Sequence, residues 1–285
     1  MAATTFTLDS FGSSVPVSLI EGLDKDKLLG MKAFKDWCRT LKTSLEKQSS
    51  PTHAFHEQPY TLKSIRIESV NFFGPNIGFL KFEATISNDH GSKLPGIVFL
   101  RGGSVAVLMI LRPKDRQSER YVIMTEQPRI PAGSLAFLEI PAGMLDEHDN
   151  FKGKAAEEIR EETGLTIYEK DLTDMTKLVL GGTAAPTDDN LQNAMYPSPG
   201  GSDEFIPILL WEKTVDRQQI QELKGRLSQD RKKGGDELIR LRLIDYEDLW
   251  SIGARDAKTL AAWALYESLK RSGKLRDESG GALDE

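Results

Sequence analysis

Four glutamates fall within six residues, Glu157, Glu158, Glu161 and Glu162, on a segment whose spacing predicts a helix. Asp149 or Asn150 can cap its start, and Gly164 stops it just past Thr163. At 3.6 residues per turn, Glu158 and Glu162 stack one turn apart with Glu161 beside them, while Ala156, Ile159 and Thr163 face inward. Like charges at i,i+3 and i,i+4 destabilise a helix, so this ridge calls for a compensating positive charge. Two readings are open. An oxygen-rich cluster suits a hard divalent cation, Mg²⁺ or Mn²⁺, which keeps several waters and takes substrate phosphates as further ligands. The plainer one is a solvated acidic face with Arg160 as its partner.

Two other segments carry groups of matching chemistry. Pro128 and Pro131 bracket Arg129 just after a strand-like run. A rigid turn there would present a guanidinium, a group suited to bidentate phosphate recognition, or simply salt-bridge the surface. Residues 196–204, YPSPGGSDE, form a loop, because Pro197, Pro199, Gly200 and Gly201 exclude regular structure. Asp203 and Glu204 close that loop. A carboxylate so placed could accept a proton from water while the glycines let the loop move, or it could cap a turn. His53, His56, His90 and His148 are scattered, and no Ser/His pair stands out. Cys38, beside Trp37, reads as packing.

These residues need elements to hold them. Strand-like runs are expected at 4–8, 15–19, 61–72, 77–86, 96–100, 104–111, 121–126, 178–180, 205–211 and 238–244. Helices are expected at 24–45, over the glutamate run, at 215–227 and at 256–269; residues 49–58 read as a linker. Strands gathered around one glutamate helix and a terminal helix give an α/β (α+β) mixed sheet between helices, preceded by a β-rich accessory region. The 285 residues are enough for a substantial core. A net charge of −6 argues against a general nucleic-acid grip. One cysteine excludes an intrachain disulfide framework, and no apolar run reaches membrane-spanning length. With neither a secretory signal nor an intact transit peptide in view, a cytoplasmic location is expected, or an organellar one if a precursor is processed.

Residues 143–165 resemble the Nudix box, G-x5-E-x7-R-E-U-x-E-E-x-G-U, with U a bulky aliphatic. Gly143, Glu158, Ile159, Glu161, Glu162, Gly164 and Leu165 fill its positions without a gap. Asp149 stands where the pattern has Glu, and Glu157 where it has Arg. The segment 126–143, with Arg129 and then LEIPAG, and the SPGG-x-x-E loop ending at Glu204 are similar to the ADP-ribose and ADP-sugar pyrophosphatase branch, and the N-terminal layout, with a helix around Phe34 to Leu41 and then LKFEAT, resembles its plant and fungal type. The resemblance implies a Nudix α/β/α sandwich over residues 96–275, an accessory and dimerisation region over 1–95, and a disordered acidic tail over 276–285. It implies metal ligands at Glu158 and Glu162, with Glu161 in the same network and the backbone carbonyl of Ala142 as a further ligand. Arg129 and Glu139 would meet the substrate, and Glu204 would be the general base, with Glu161 also catalytic. The implied reaction is Mg²⁺-dependent hydrolysis of the pyrophosphate of a nucleotide sugar, ADP-ribose or ADP-glucose, by a homodimer that uses no nucleic acid or membrane. The alternative, motivated by Asp149 and Glu157, is a Nudix-fold binding or regulatory protein with impaired catalysis.

Overall fold

Residues 104–113, SVAVLMILRP, are apolar almost without a break, the mark of a strand covered on both faces. The computed structural model describes residues 4–145, 150–163, 165–181, 190–223 and 239–275, the side chains of residues 162 and 163 excepted. It divides into two compact units. One runs to Gly103 and takes in Ser198–Phe205; the other starts at Ser104 and includes Asn193–Pro197 and the chain from Ile206.

The first unit contains β1 (Thr5–Leu8), β2 (Val15–Ser18), α1 (Lys25–Gly30), α2 (Lys32–Glu46), β3 (Thr61–Phe73), β4 (Asn76–Ser87), β5 (Lys93–Leu94) and β6 (Ile97–Leu100). Its sheet runs β1-β2-β3-β4-β5, with β6 also paired to β4. Only β2 against β3 is parallel. Leu28 and Phe34 pack with Ile65, Leu80 and Phe82 in its core. The helix expected at 24–45 is two helices, because Met31 takes an extended backbone (ψ 117°) between them. β6 belongs to this sheet, so residues 97–100 lie with the first unit.

The second unit contains β7 (Ser104–Pro113), β8 (Tyr121–Arg129), β9 (Ser134–Glu139), β10 (Ala142–Met144), α3 (Phe151–Thr163), β11 (Thr173–Asp174), α4 (Met175–Leu180), β12 (Ile208–Val215), α5 (Arg217–Leu223), β13 (Arg240–Asp245), α6 (Leu249–Ile252) and α7 (Ala257–Arg271). Its sheet runs β11-β12-β7-β8-β13, with β10 on β7 and β9 on β8; β12 and β7 are parallel and the other pairs antiparallel. The period of two along β7 sorts its side chains between two cores. Ala106, Leu108 and Ile110 meet Ala262, Tyr266 and Leu269 of α7. Val105, Val107, Met109 and Leu111 share a core with Ala155 and Ile159 of α3 and Ile220 and Leu223 of α5. The result is the expected helix–sheet–helix sandwich.

Three local expectations give way. Residues 178–180 are helical, not a strand: Asp174 caps α4, its carboxylate accepting from the Lys177 N–H at 2.8 Å. β9 and β10 were not expected. On α3 the buried residues are Ala155 and Ile159, with Ala156 only partly covered. The tail 276–285, and residues 224–227 of the helix expected at 215–227, lie outside the described residues.

Candidate active site

β10 runs antiparallel to β7, with Gly143 opposite Val105, and α3 packs across it. Gly143 has no side chain, and this lets the Glu158 carboxylate lie against the strand. A Cβ added at Gly143 would stand 2.6 Å from Glu158 Oε1 and closer still to Cγ and Cδ. The first glycine of the box and its central glutamate, fifteen positions apart, are therefore in direct contact. Asn150 precedes α3, and its side-chain oxygen accepts from the Gly153 N–H at 3.1 Å. Lys154, one turn before Glu158, stands 3.2 Å from Glu158 Oε1 and 2.9 Å from Glu157 Oε2. The cation beside the box thus comes from Lys154, a residue not singled out from sequence.

Glu161 lies in α3, partly buried. Glu162 belongs to the same helix, but its side chain lies outside the described residues, as do Asp149, His148 and Gly164. Among the described residues no three His, Cys, Asp or Glu side chains converge on a point. Glu158 is nevertheless an oxygen donor held beside the backbone of Gly143, which is the hard-ligand chemistry a Mg²⁺ site requires.

Arg129 ends β8, just after a bulge between Gln127 and Arg129, and faces Ser134 of β9. Its Nε donates to Glu139 Oε1 at 2.6 Å, and its terminal nitrogens have no partner among the described residues. Glu139 is only 2% exposed. Its second oxygen accepts from Lys258 Nζ. Both oxygens of Glu139 are thus taken by cations of this chain. Lys258 also bonds Asp256 Oδ1 at 2.9 Å. Lys258, Asp256 and Thr259 were missed in the sequence. Asp256 as a helix cap was legible there, and a lysine in a helix's first turn, where the dipole opposes it, was the available signal.

Glu204 and Asp203 belong to the first unit. Asp203 accepts from the backbone N–H of Arg101 at 2.8 Å and of Gly102 at 3.0 Å. Burial pushes its carboxyl above the ordinary aspartate value, opposed by those backbone hydrogen bonds. Glu204 stands 3.2 Å from Arg101. The loop before it lies along β6, the Phe99 N–H donating to the Gly201 carbonyl at 2.8 Å. Trp37 packs against Phe34 and Phe82, and Trp211 is core.

The second unit is thus a mixed sheet between helices, with the glutamate helix α3 seated on the glycine of β10. Over 247 residues the chain is 38% identical to Nudix hydrolase 14, chloroplastic, of Arabidopsis thaliana, covering 86% of this chain and 73% of that one. It is 30% identical over 215 residues to the ADP-ribose pyrophosphatase of Bacillus subtilis (strain 168), covering 74% of this chain and 94% of the relative. This chain belongs to the Nudix hydrolase family, and it is an enzyme of that family's hydrolase type. A solved structure described as an ADP compounds hydrolase overlaps it with a TM-score of 0.42 and 15% identity, over 75% of this chain and 99% of that one. No protein-family model matches the chain. No helix among the described residues is long and apolar enough to cross a membrane.

Proposed function

We propose that the protein hydrolyses the pyrophosphate bond of a nucleoside diphosphate sugar, ADP-ribose or ADP-glucose, to AMP and a sugar phosphate, with Mg²⁺ as cofactor and Mn²⁺ as its substitute. The observation that carries this reading is the Glu158 carboxylate seated on Gly143, in a chain 30% identical to an ADP-ribose pyrophosphatase. Glu158, Glu162, Glu161 and the Ala142 carbonyl would hold the metal, which when bound neutralises the diphosphate and polarises its P–O bonds. Arg129 would orient the phosphates through its terminal nitrogens. Glu204 would take the proton of the attacking water, which requires it to part from Arg101.

Turnover of ADP-ribose and ADP-glucose with Mg²⁺ or Mn²⁺ tests the reading. Binding without hydrolysis under either metal would establish the impaired alternative instead. Glu162→Gln should remove most activity in a folded protein, and wild-type turnover would show that the metal assignment is wrong. Glu204→Gln tests the base in the same way.

A homodimer built on the first unit is part of this proposal. Phe73, Phe79 and Phe99 form a ring-to-ring row, centroids 4.9 and 5.3 Å apart, Phe79 half-buried between the exposed Phe73 and Phe99, with Phe72 and Ile97 also exposed. A monomer rarely leaves so apolar a row open. Light scattering after gel filtration decides it, a monomeric mass counting against the dimer. The chloroplastic relative favours an organellar location over a cytoplasmic one. Imaging a fluorescent fusion of the full natural protein would separate the two.

A further inference from the structure

We propose that Lys258, held by Asp256 and Thr259, is a positioning residue for the anion-binding guanidinium of Arg129, acting through Glu139. The inference rests on the assignment of Arg129 to substrate phosphate made above.

The bonds close into a ring. Glu139 accepts from Lys258, and Lys258 donates to Asp256 at 2.9 Å. Asp256 accepts from the Thr259 hydroxyl at 2.6 Å. The Thr259 hydroxyl oxygen in turn accepts from the backbone N–H of Ile140 at 3.2 Å, next to Glu139. Glu139, Asp256, Lys258 and Thr259 are all buried, Thr259 completely. Arg129 completes an alternating run of charges, Arg129 plus, Glu139 minus, Lys258 plus, Asp256 minus, whose sum is zero. The ring therefore needs no further ion.

Its placement shows what it does. Asp256 caps α7, and Lys258 lies in the first turn, where the helix dipole disfavours a cation. A lysine there is retained for what it binds. It pins the second oxygen of Glu139 and leaves the first to meet Arg129 Nε at 2.6 Å. With one guanidinium edge fixed, the terminal nitrogens are aimed by the protein rather than by solvent. The bond to Ile140 fixes the backbone two residues before Ala142, so the same ring steadies the strand that carries Gly143. Losing Lys258 would leave Glu139 with two conformational choices and Arg129 without a fixed edge. The ring thus acts as a support shell, which holds reacting groups in place without touching substrate.

The test uses the full chain as wild type, Lys258→Met, Lys258→Arg, Arg129→Ala and the Lys258→Met/Arg129→Ala double variant. The probe is ADP-ribose with Mg²⁺, and the free protein is also followed by hydrogen exchange at the arginine Nε–H groups in ¹⁵N spectra. Lys258→Met is expected to raise KM roughly 10-fold, the usual cost of an outer supporting partner, with kcat changed by less than about threefold. It should speed exchange at Arg129 Nε–H, add little in the Arg129→Ala background, and be rescued in large part by Lys258→Arg. An unchanged KM together with unchanged exchange at Arg129 overturns the proposal. If Lys258→Met does not fold, Thr259→Val, which removes the hydroxyl that joins Asp256 to the Ile140 N–H and leaves every charge, carries the same expectations. Should the wild type hydrolyse no nucleotide sugar, the proposed function fails, while exchange at Arg129 Nε–H still decides whether Lys258 holds it.

Discussion

Replacing Gly143 by alanine should separate the geometry of the site from the stability of the fold. The new methyl would stand 2.6 Å from Glu158 Oε1, and 3.4 Å is the near edge of ordinary contact. Oε1 must therefore retreat by about 0.8 Å at least, and Cδ by more, to escape the contact. The crowded atoms all belong to the Glu158 side chain, from Cγ outward, which can change rotamer without moving either backbone, at small cost to folding. The backbone at Gly143 is not left-handed, so alanine fits it. Alanine for glycine at a compatible position restricts the unfolded chain and returns about 0.4–1 kcal/mol, which offsets the crowding. Catalysis has no such offset, since a misplacement of about 1 Å costs on the order of 100-fold, or about 2.7 kcal/mol of transition-state stabilisation. The assay is steady-state hydrolysis of ADP-ribose with Mg²⁺, run beside thermal melting of the same preparation. The expected result is a loss of roughly 100-fold in kcat with the melting midpoint within a few degrees of wild type. A variant with more than half the wild-type kcat would refute the claim that Glu158 works from its seat on Gly143. A collapse in melting temperature would show instead that this contact holds the fold.

Three other outcomes are expected. Gly96→Ala places a Cβ onto the Ala84 carbonyl oxygen and 2.9 Å from its carbon, and neither backbone can yield freely. It should cost roughly 1–3 kcal/mol of stability in denaturant unfolding, and a cost below about 0.5 kcal/mol would contradict the contact. Burial pushes the Cys38 thiol up to about 12 from 9.0, so native protein at pH 8 should label with a thiol reagent far more slowly than unfolded protein. Equal rates would refute this. Burial raises the Asp203 carboxyl above 3.8, so the folded chain holds that proton more tightly than the unfolded chain. The ionised group therefore costs stability above its folded pKa, and the cost disappears as pH falls through that value toward 3.8. Asp203→Asn keeps an acceptor for Arg101 and Gly102 without the charge. Its stability relative to wild type should be higher at pH 7 than at pH 4.5; a difference independent of pH would disprove the buried charge.

Much of the second unit was legible because period and spacing are local properties. The apolar run at β7 announced a strand covered on both faces, and the glutamate spacing announced α3 with a one-sided ridge. The strand read at 178–180 failed for a physical reason. A three-residue apolar run fits either structure, and the choice fell to the Asp174 cap, whose bond to Lys177 starts a helix turn. β9 and β10 escaped notice because they are short, flank Pro141 and become strands only by pairing with β8 and β7.

The sequence by itself determined the family, the order of the motifs and the register that puts Glu158, Glu161 and Glu162 on one helix. Those facts follow from covalent spacing and helical period, which need no partner. Tertiary structure decided which neighbours those groups have. It set Glu158 on Gly143 and beside Lys154, paired Glu204 with Arg101, and buried Glu139 between Arg129 and Lys258, a residue 119 positions away. Contacts across that distance exist only once β9 and α7 have packed on one core, because burial in a shared low-dielectric interior, not sequence spacing, makes an ion-paired ring worth forming.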